Sequence, residues 1–390
     1  MSRMSVLGLY VHVPFCQRRC IYCDFYSTTL PRRWHMPYLE SLGKELELRQ
    51  SQMTSDSPSP FRGRDLSTLY LGGGTPSLLD AEALHRLFFH VQRNFRLTAD
   101  AEITIEANPD DVTPAWVEAL CQTPVNRVSM GVQSLDDDIL RTLHRRHTAR
   151  QALQAVRLLQ EAGYHNLSLD LIYGLPGQTE DQFAQDVRKV LSLDVPHLSA
   201  YALQFEEGTA LFRMRKEGAV QEADEEQSLR CYELLMDLTA EMGMEHYEIS
   251  NFARPGYRSR HNSSYWTGMP YIGLGAGAHS FDGGNLRTSN CEDVQAYIRA
   301  IGEGYLPVSE ECLSDDERYN ERIMLSLRTV EGLSLSDVER DFGTDRRRYC
   351  ERMAAPHLRR GTLQKKTGEK LCLTRRGLFV SDDILSDMLV

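Results

Sequence analysis

The chain has 390 residues, 41% of them hydrophobic, and a formal net charge of −11; that is more than one small core needs, so a large domain with a smaller appended one is expected. No apolar run approaches the roughly 18 residues that span a bilayer, and the first residues lack the basic, apolar and small-residue order of a signal peptide. Nine cysteines make an odd count for a disulfide framework, and the acidic balance repels phosphate backbones, which together point to a reducing cytoplasm and away from a nucleic-acid partner.

Short β-rich apolar runs alternate with amphipathic stretches through the first two-thirds of the chain. Strands are expected at 7–13, 68–71, 102–106, 127–131, 167–172 and 197–202, with helical spacing between them at Leu39, Leu42 and Leu46 and at Ala152, Val156 and Leu159. Such alternation predicts an α/β fold, a parallel sheet with crossover helices, and six units of it make a partial, TIM-like (β/α)6 barrel. The stretch 51–65 reads as a surface loop. After about residue 285 the pattern changes to a helix at 317–327, a second at 333–341 and a hairpin over 363–373, the order of a small α+β, winged-helix-like domain. The expected division is therefore 1–285 and 286–390. Basic residues gather in the second part (Arg346 to Arg348, Arg359, Arg360, Lys365, Lys366, Arg375 and Arg376). They fit either a DNA-binding face or a solvated lid, and the acidity of the whole chain favours the lid.

The first strand leads into Cys16, Cys20 and Cys23, at C-x3-C-x2-C spacing. Three thiolates on a [4Fe–4S] cluster leave one iron open to a further ligand. A zinc site completed by His12 or another donor is the rival reading. The other six cysteines are scattered without ligand spacing and read as ordinary thiols. The spacing, in a loop after a first strand, resembles the radical S-adenosylmethionine (SAM) superfamily. There the open iron chelates the methionine end of SAM, and one electron cleaves SAM to a 5′-deoxyadenosyl radical.

In a parallel barrel the loops after the strands build the site. Strand two runs into Gly72-Gly73-Gly74-Thr75-Pro76, where missing Cβ atoms let a ligand approach the backbone. A phosphate-binding loop is excluded there by the lack of a following Gly-Lys-Ser/Thr and by Pro76. Strand three ends at Glu106, strand four at Gln133, and strand five carries Asp170; Arg145 lies twelve residues beyond Gln133. Each has an ordinary structural explanation, but together they offer acceptors for ribose hydroxyls and an ammonium, and a cation for a carboxylate.

Tyr10, His12, Cys16, the Gly73-Gly74-Thr75 run, Glu106, Gln133, Arg145 and Asp170 resemble the SAM-binding set of the oxygen-independent coproporphyrinogen III oxidase family, and the similarity extends through nearly the whole chain. Within that family the chain most resembles the branch regarded as heme chaperones, which deliver heme to respiratory proteins. The resemblance implies that Cys16, Cys20 and Cys23 hold the [4Fe–4S] cluster. It also implies that Tyr10, Gly73, Gly74, Thr75, Glu106, Gln133, Arg145 and Asp170 contact SAM; His12 is left unassigned. Oxidases of the family extend the motif to a fourth cysteine, where this chain has Phe25, and carry a longer segment ahead of the first cysteine, where fifteen residues precede Cys16 here. Porphyrinogen decarboxylation is accordingly in doubt, and coproporphyrinogen III dehydrogenase activity is the enzyme alternative. A DNA-binding regulator with a cluster as sensor is the third.

The run His261-Asn262-Ser263-Ser264-Tyr265-Trp266 resembles the H-N-x-x-Y-W motif typical of the chaperone branch. Imidazole is a usual axial ligand of heme iron, and Tyr and Trp offer faces to a macrocycle, so His261 is the candidate heme ligand, with His279 second. A hydrogen-bonded loop histidine fits His261 equally well. Gly273, Gly275 and Gly277 predict a tight loop against the barrel rather than a dinucleotide fingerprint. The implied partners are heme and heme-accepting respiratory proteins. Nothing encodes a membrane anchor; peripheral membrane association and homodimerisation stay open.

Overall fold

A computed structural model describes residues 6–52 and 64–390. The six expected strands are all present, five of them longer than their apolar runs: β1 (Val6–Val13), β2 (Asp65–Gly73), β3 (Leu97–Ala107), β4 (Arg127–Gln133), β5 (Leu167–Tyr173) and β6 (His197–Ala202). Neighbours in sequence are neighbours in space, and every pair from β1 to β6 is parallel. Leu7, Leu9, Val11 and Val13 alternate along β1 and are fully buried in one core with Leu39, Leu42 and Leu46 of helix His35–Gln52. The residues between them, Gly8, Tyr10 and His12, point to the other side of the pleat, into the lumen. Crossover helices start at strong N-caps. Thr148 and Thr179 each close a capping box with a glutamine three residues on, at the heads of Ala149–Glu161 and Glu180–Leu191, and such a cap stabilises by about 1 kcal/mol.

The barrel does not close. Beyond β6 the sheet turns antiparallel through β7 (Glu245–Glu248) and β8 (Asn251–Ala253). Beyond β1 it continues through β9 (Tyr271–Leu274), β10 (His279–Phe281), β11 (Leu286–Asn290) and β12 (Val308–Cys312), giving twelve strands in all. The large sheet thus runs past residue 285. The glycine-rich turn between β9 and β10 is the expected tight loop: buried Glu45 accepts from Gly275 N, Asn290 Nδ2 and Tyr297 Oη at 2.9, 2.9 and 2.6 Å. Most of the loop expected at 51–65 lies outside the described residues; helix His35–Gln52 reaches into its start and β2 begins at its end.

The C-terminal unit has the winged-helix order: helix Asp315–Leu327, β13 (Leu333–Ser334), helices Leu335–Phe342 and Thr344–Arg360, then β14 (Leu363–Lys366) and β15 (Lys370–Leu373). Its three strands pair antiparallel in the order β13-β15-β14 around a separate core that includes Tyr319, Ile323, Val338 and Leu371. Gly368 and Glu369 both adopt positive φ, 75° and 56°, which is the tight hairpin turn the Lys-Thr-Gly run called for.

Candidate cofactor site at the mouth of the barrel

The carboxyl ends of the parallel strands open into a cavity of about 660 Å3. Its wall brings together Cys16, Cys20 and Cys23 from the loop after β1, Gly73, Gly74 and Thr75 from the end of β2, Glu106 from β3, Gln133 from β4, Asp170 from β5, and Arg145. Gly73 has φ +110°, and a Cβ there would stand 2.5 Å from the His12 ring. Gln133 has φ +68°, a left-handed conformation rare for a side chain with Cβ, at a register skip between β4 and β5. That skip turns its amide toward Gly131, where an added Cβ would meet Gln133 Nε2 at 2.8 Å and Arg145 Nη2 at 3.3 Å. The glycine is what lets both side chains share the wall.

Donors approach two of the sulfurs: Thr75 Oγ1 lies 3.5 Å from Cys16 Sγ and Arg145 Nη1 lies 3.4 Å from Cys20 Sγ. Such contacts orient and stabilise thiolate ligands. Burial pushes the Cys16 thiol up and the Cys23 thiol to about 11, so a metal centre has to displace their protons. Among the described residues no three His, Cys, Asp or Glu groups stand within reach of one metal ion, as a mononuclear zinc site requires. Cys16, Cys20 and Cys23 share the cavity wall, and a [4Fe–4S] cluster held by three thiolates leaves one iron free. Arg145 also donates to Asn108 Oδ1 at 2.6 Å and to the Gly131 carbonyl at 2.5 Å, while its Nε is sealed without a partner.

Deeper in the lumen, Glu106 accepts from Tyr70 Oη at 2.9 Å and from Gly73 N at 3.1 Å. Burial pushes Glu106 up to about 7 and Asp170 to about 6, while their hydroxyl donors and the charge of Arg127 pull the other way. The cavity therefore presents carboxyls poised near neutrality, three thiols and a cation, a donor and acceptor set that fits SAM beside a cluster.

Two expected residues stand off this wall. Tyr10 shares a 3.0 Å hydrogen bond with His12 Nδ1, and its ring lies 6.2 Å from Tyr70; His12 Nε2 in turn meets the Tyr26 carbonyl at 2.9 Å, tying β1 to the cysteine loop. His261 lies in the buried lumen at 1% exposure, one ring nitrogen 2.8 Å from Thr68 Oγ1 and the other 2.9 Å from Tyr265 Oη. Its main-chain N–H donates to buried Glu102. Both nitrogens are thus engaged by hydroxyls, the hydrogen-bonded arrangement that stood beside heme ligation as the alternative for this residue. Asn108, Tyr70, Arg127 and Tyr201 line the cavity without having been singled out in the sequence. Asn108 had a signal, two residues after Glu106 at the same strand end. Leu378, Phe379, Ser381 and Asp382 of the C-terminal unit complete the rim, which only the three-dimensional fold reveals.

An open parallel barrel with three cysteines and a cavity lined by strand-end polar residues at its mouth is the architecture of a radical SAM protein. A family model described as the radical SAM superfamily matches residues 10–190, and one described as the HemN C-terminal domain matches 313–380. The chain is 36% identical to the heme chaperone HemW of Lactococcus lactis over 85% of its own length and 84% of that relative. It is also 36% identical to HemW of Mycobacterium tuberculosis strain H37Rv, over 98% and 94% of the two chains. Among solved structures, coproporphyrinogen III oxidase (HemN) from Escherichia coli, described as a radical SAM enzyme, superposes with a TM-score of 0.83 at 25% identity, covering 100% of this chain and 91% of that one. The chain belongs to the HemW family. Its radical SAM domain implies a [4Fe–4S] cluster and SAM.

Proposed function

We propose that this protein is a heme chaperone that binds a [4Fe–4S] cluster, SAM and heme and passes heme to respiratory proteins in the cytoplasm. The observation that carries the reading is membership of the HemW family, joined to a cysteine loop that has Phe25, 66% exposed, where the oxidases have a fourth cysteine. In this reading Cys16, Cys20 and Cys23 hold the cluster, which supplies one-electron chemistry at its open iron. Gly73, Gly74, Thr75, Glu106, Gln133, Arg145 and Asp170 contact SAM, with Tyr10 behind them through His12. Heme iron is left to a histidine other than His261, and exposed His279 on β10 is the better placed of the two candidates. The functional division falls between β12 and the helix at 315, later than residue 285. Among the described residues no helix is long and apolar enough to cross a membrane.

The HemN likeness favours one alternative, a coproporphyrinogen III dehydrogenase. Cluster-reconstituted protein incubated anaerobically with SAM, a strong reductant and coproporphyrinogen III separates the two when products are resolved by mass spectrometry. The chaperone reading expects no decarboxylation together with stoichiometric heme binding and transfer to an apo-respiratory protein. Loss of two carboxyl groups from the porphyrinogen would overturn it.

A further inference from the structure

Arg127 opens β4 and is 1% exposed, the largest fully buried side chain among the described residues. It lines the cavity, its Nε is sealed without a hydrogen-bond partner, and its guanidinium makes no ion pair or hydrogen bond among the described residues. An isolated buried cation is strongly unfavourable, so its surroundings must answer for it. The strand register shows how. Arg127 pairs with Thr104 on β3, one pleat below the Ser129 to Glu106 pair, and on the other side Gly131 pairs with Asp170 on β5. Glu106 thus lies one pleat above Arg127 on one neighbouring strand and Asp170 two pleats above it on the other; neither makes an ion pair with it among the described residues, yet both feel its charge.

The remaining titratable groups turned toward it supply no other cation. They are Tyr70 from β2, His197 from β6, Tyr247 from β7 and His261 from helix Arg260–Trp266, with Glu102 of β3 beside Tyr247. Both histidines are held neutral by burial and by Arg127 itself. Arg127 is a fixed positive charge that acts on both carboxyls, standing off from the acceptors rather than occupying their lone pairs. A guanidinium in contact would consume those lone pairs; at a distance it stabilises the negative charge and leaves them free.

We infer that Arg127 is a positioning residue for SAM: its stand-off charge favours the carboxylate forms of Glu106 and Asp170 without occupying their lone pairs, which are left as acceptors for the hydroxyl and ammonium groups of a cationic ligand. The inference rests on the proposed SAM site. Without Arg127 both carboxyls hold their protons to higher pH, because only their hydroxyl and backbone donors are then left to oppose burial and mutual repulsion.

The test is SAM affinity of the cluster-reconstituted protein, measured by equilibrium dialysis from pH 6 to 9, for the wild type, Arg127→Met, Arg127→Lys and Asp170→Asn. Arg127→Met is expected to weaken binding at pH 7 by roughly tenfold, the effect of one unit of pKa, and to recover most of the loss by pH 9. Arg127→Lys should track the wild-type profile with a smaller displacement. Asp170→Asn should weaken binding without recovery at high pH. A loss in Arg127→Met that is the same at every pH would make the arginine merely structural and overturn the inference, as would unchanged binding. Should Arg127→Met not fold, a wild-type pH midpoint in Arg127→Gln or a pH-independent loss in Arg127→Lys decides against it equally. If the wild type binds no SAM, or Asp170→Asn binds normally, it is the SAM site that fails.

Discussion

In the barrel lumen buried Arg127 and half-buried Glu106 and Asp170 form no ion pair among the described residues, whereas in the C-terminal unit Arg347 alone meets Glu339, Glu351 and Glu369, Arg346 reaches Asp316, and Arg375 reaches across to Asp237 of the barrel part. The two regions hold charge for different ends. On the winged unit Arg346, Arg347, Arg348 and Arg375 are matched by nearby acids, while among the described residues Arg359, Arg360, Lys365, Lys366 and Arg376 make no ion pair, so the basic run is neutralised in part and otherwise solvated. In the lumen, charges and lone pairs are kept apart under burial that makes each of them costly, and that arrangement suits a ligand rather than stability.

The contrast breaks most completely at the cysteines. Replacing Cys16, Cys20 or Cys23 by Ala is expected to abolish the brown absorbance of the anaerobic cluster while the circular dichroism stays native; retained absorbance, or stoichiometric zinc by elemental analysis, would remove the cluster. Next in size is Glu106→Gln, which removes an ionisable acceptor of the lumen and should weaken SAM binding by at least roughly tenfold, as loss of a charge-assisted hydrogen bond implies. Wild-type affinity itself should fall as the pH drops through about 7 to 6, where Glu106 and then Asp170 take up protons and lose the charge that strengthens their hydrogen bonds to a cationic ligand.

A smaller effect is expected of His261→Gln, a loss of about 1–3 kcal/mol in urea unfolding from two broken buried hydrogen bonds, with heme stoichiometry unchanged. The sign of its pH dependence is fixed by burial, which lowers the folded histidine to about 3. The unfolded chain takes up that proton below about 6.5 and the folded one does not, so stability is lost as the pH falls from there toward 3. The variant should lose part of this acid limb; an unaltered limb, or loss of bound heme, would count against the packing role. Smallest of all, Arg375→Ala removes a half-exposed ion pair with Asp237 and should cost under about 1 kcal/mol in the same unfolding measurement.

Much of the barrel was legible because the outward face of each strand is a run of Leu, Val and Ile that only a buried parallel sheet explains. The cysteine loop, the glycine run and the strand-end polar residues were legible for the same reason: once the strands are placed, their carboxyl ends must converge. The strands after Ala202 were not, since β7 to β12 are three to five residues long and too short to show a period. Helix Thr344–Arg360 was hidden by its own sequence, which opens after Gly343, carries a basic run and contains Pro356. Arg127 was missed because a lone arginine at the start of a strand gives no sign of which way it faces. The motif around His261 could not say which of its two readings holds, because the aromatic neighbour that suggested a macrocycle turns its hydroxyl onto the histidine.

The rim contributed by Leu378, Phe379, Ser381 and Asp382 also sets an order of events in the making of the protein. At about 5–20 residues per second the cysteine loop is synthesised roughly 20–70 s before the residues that wall the far side of its cavity. Through that interval the three thiols stand in an open half-shell, accessible to cluster donors and to oxidants alike. The rim needs residues 378–382, so a product cut short before Leu378 would carry all three cysteines in an unfinished chamber.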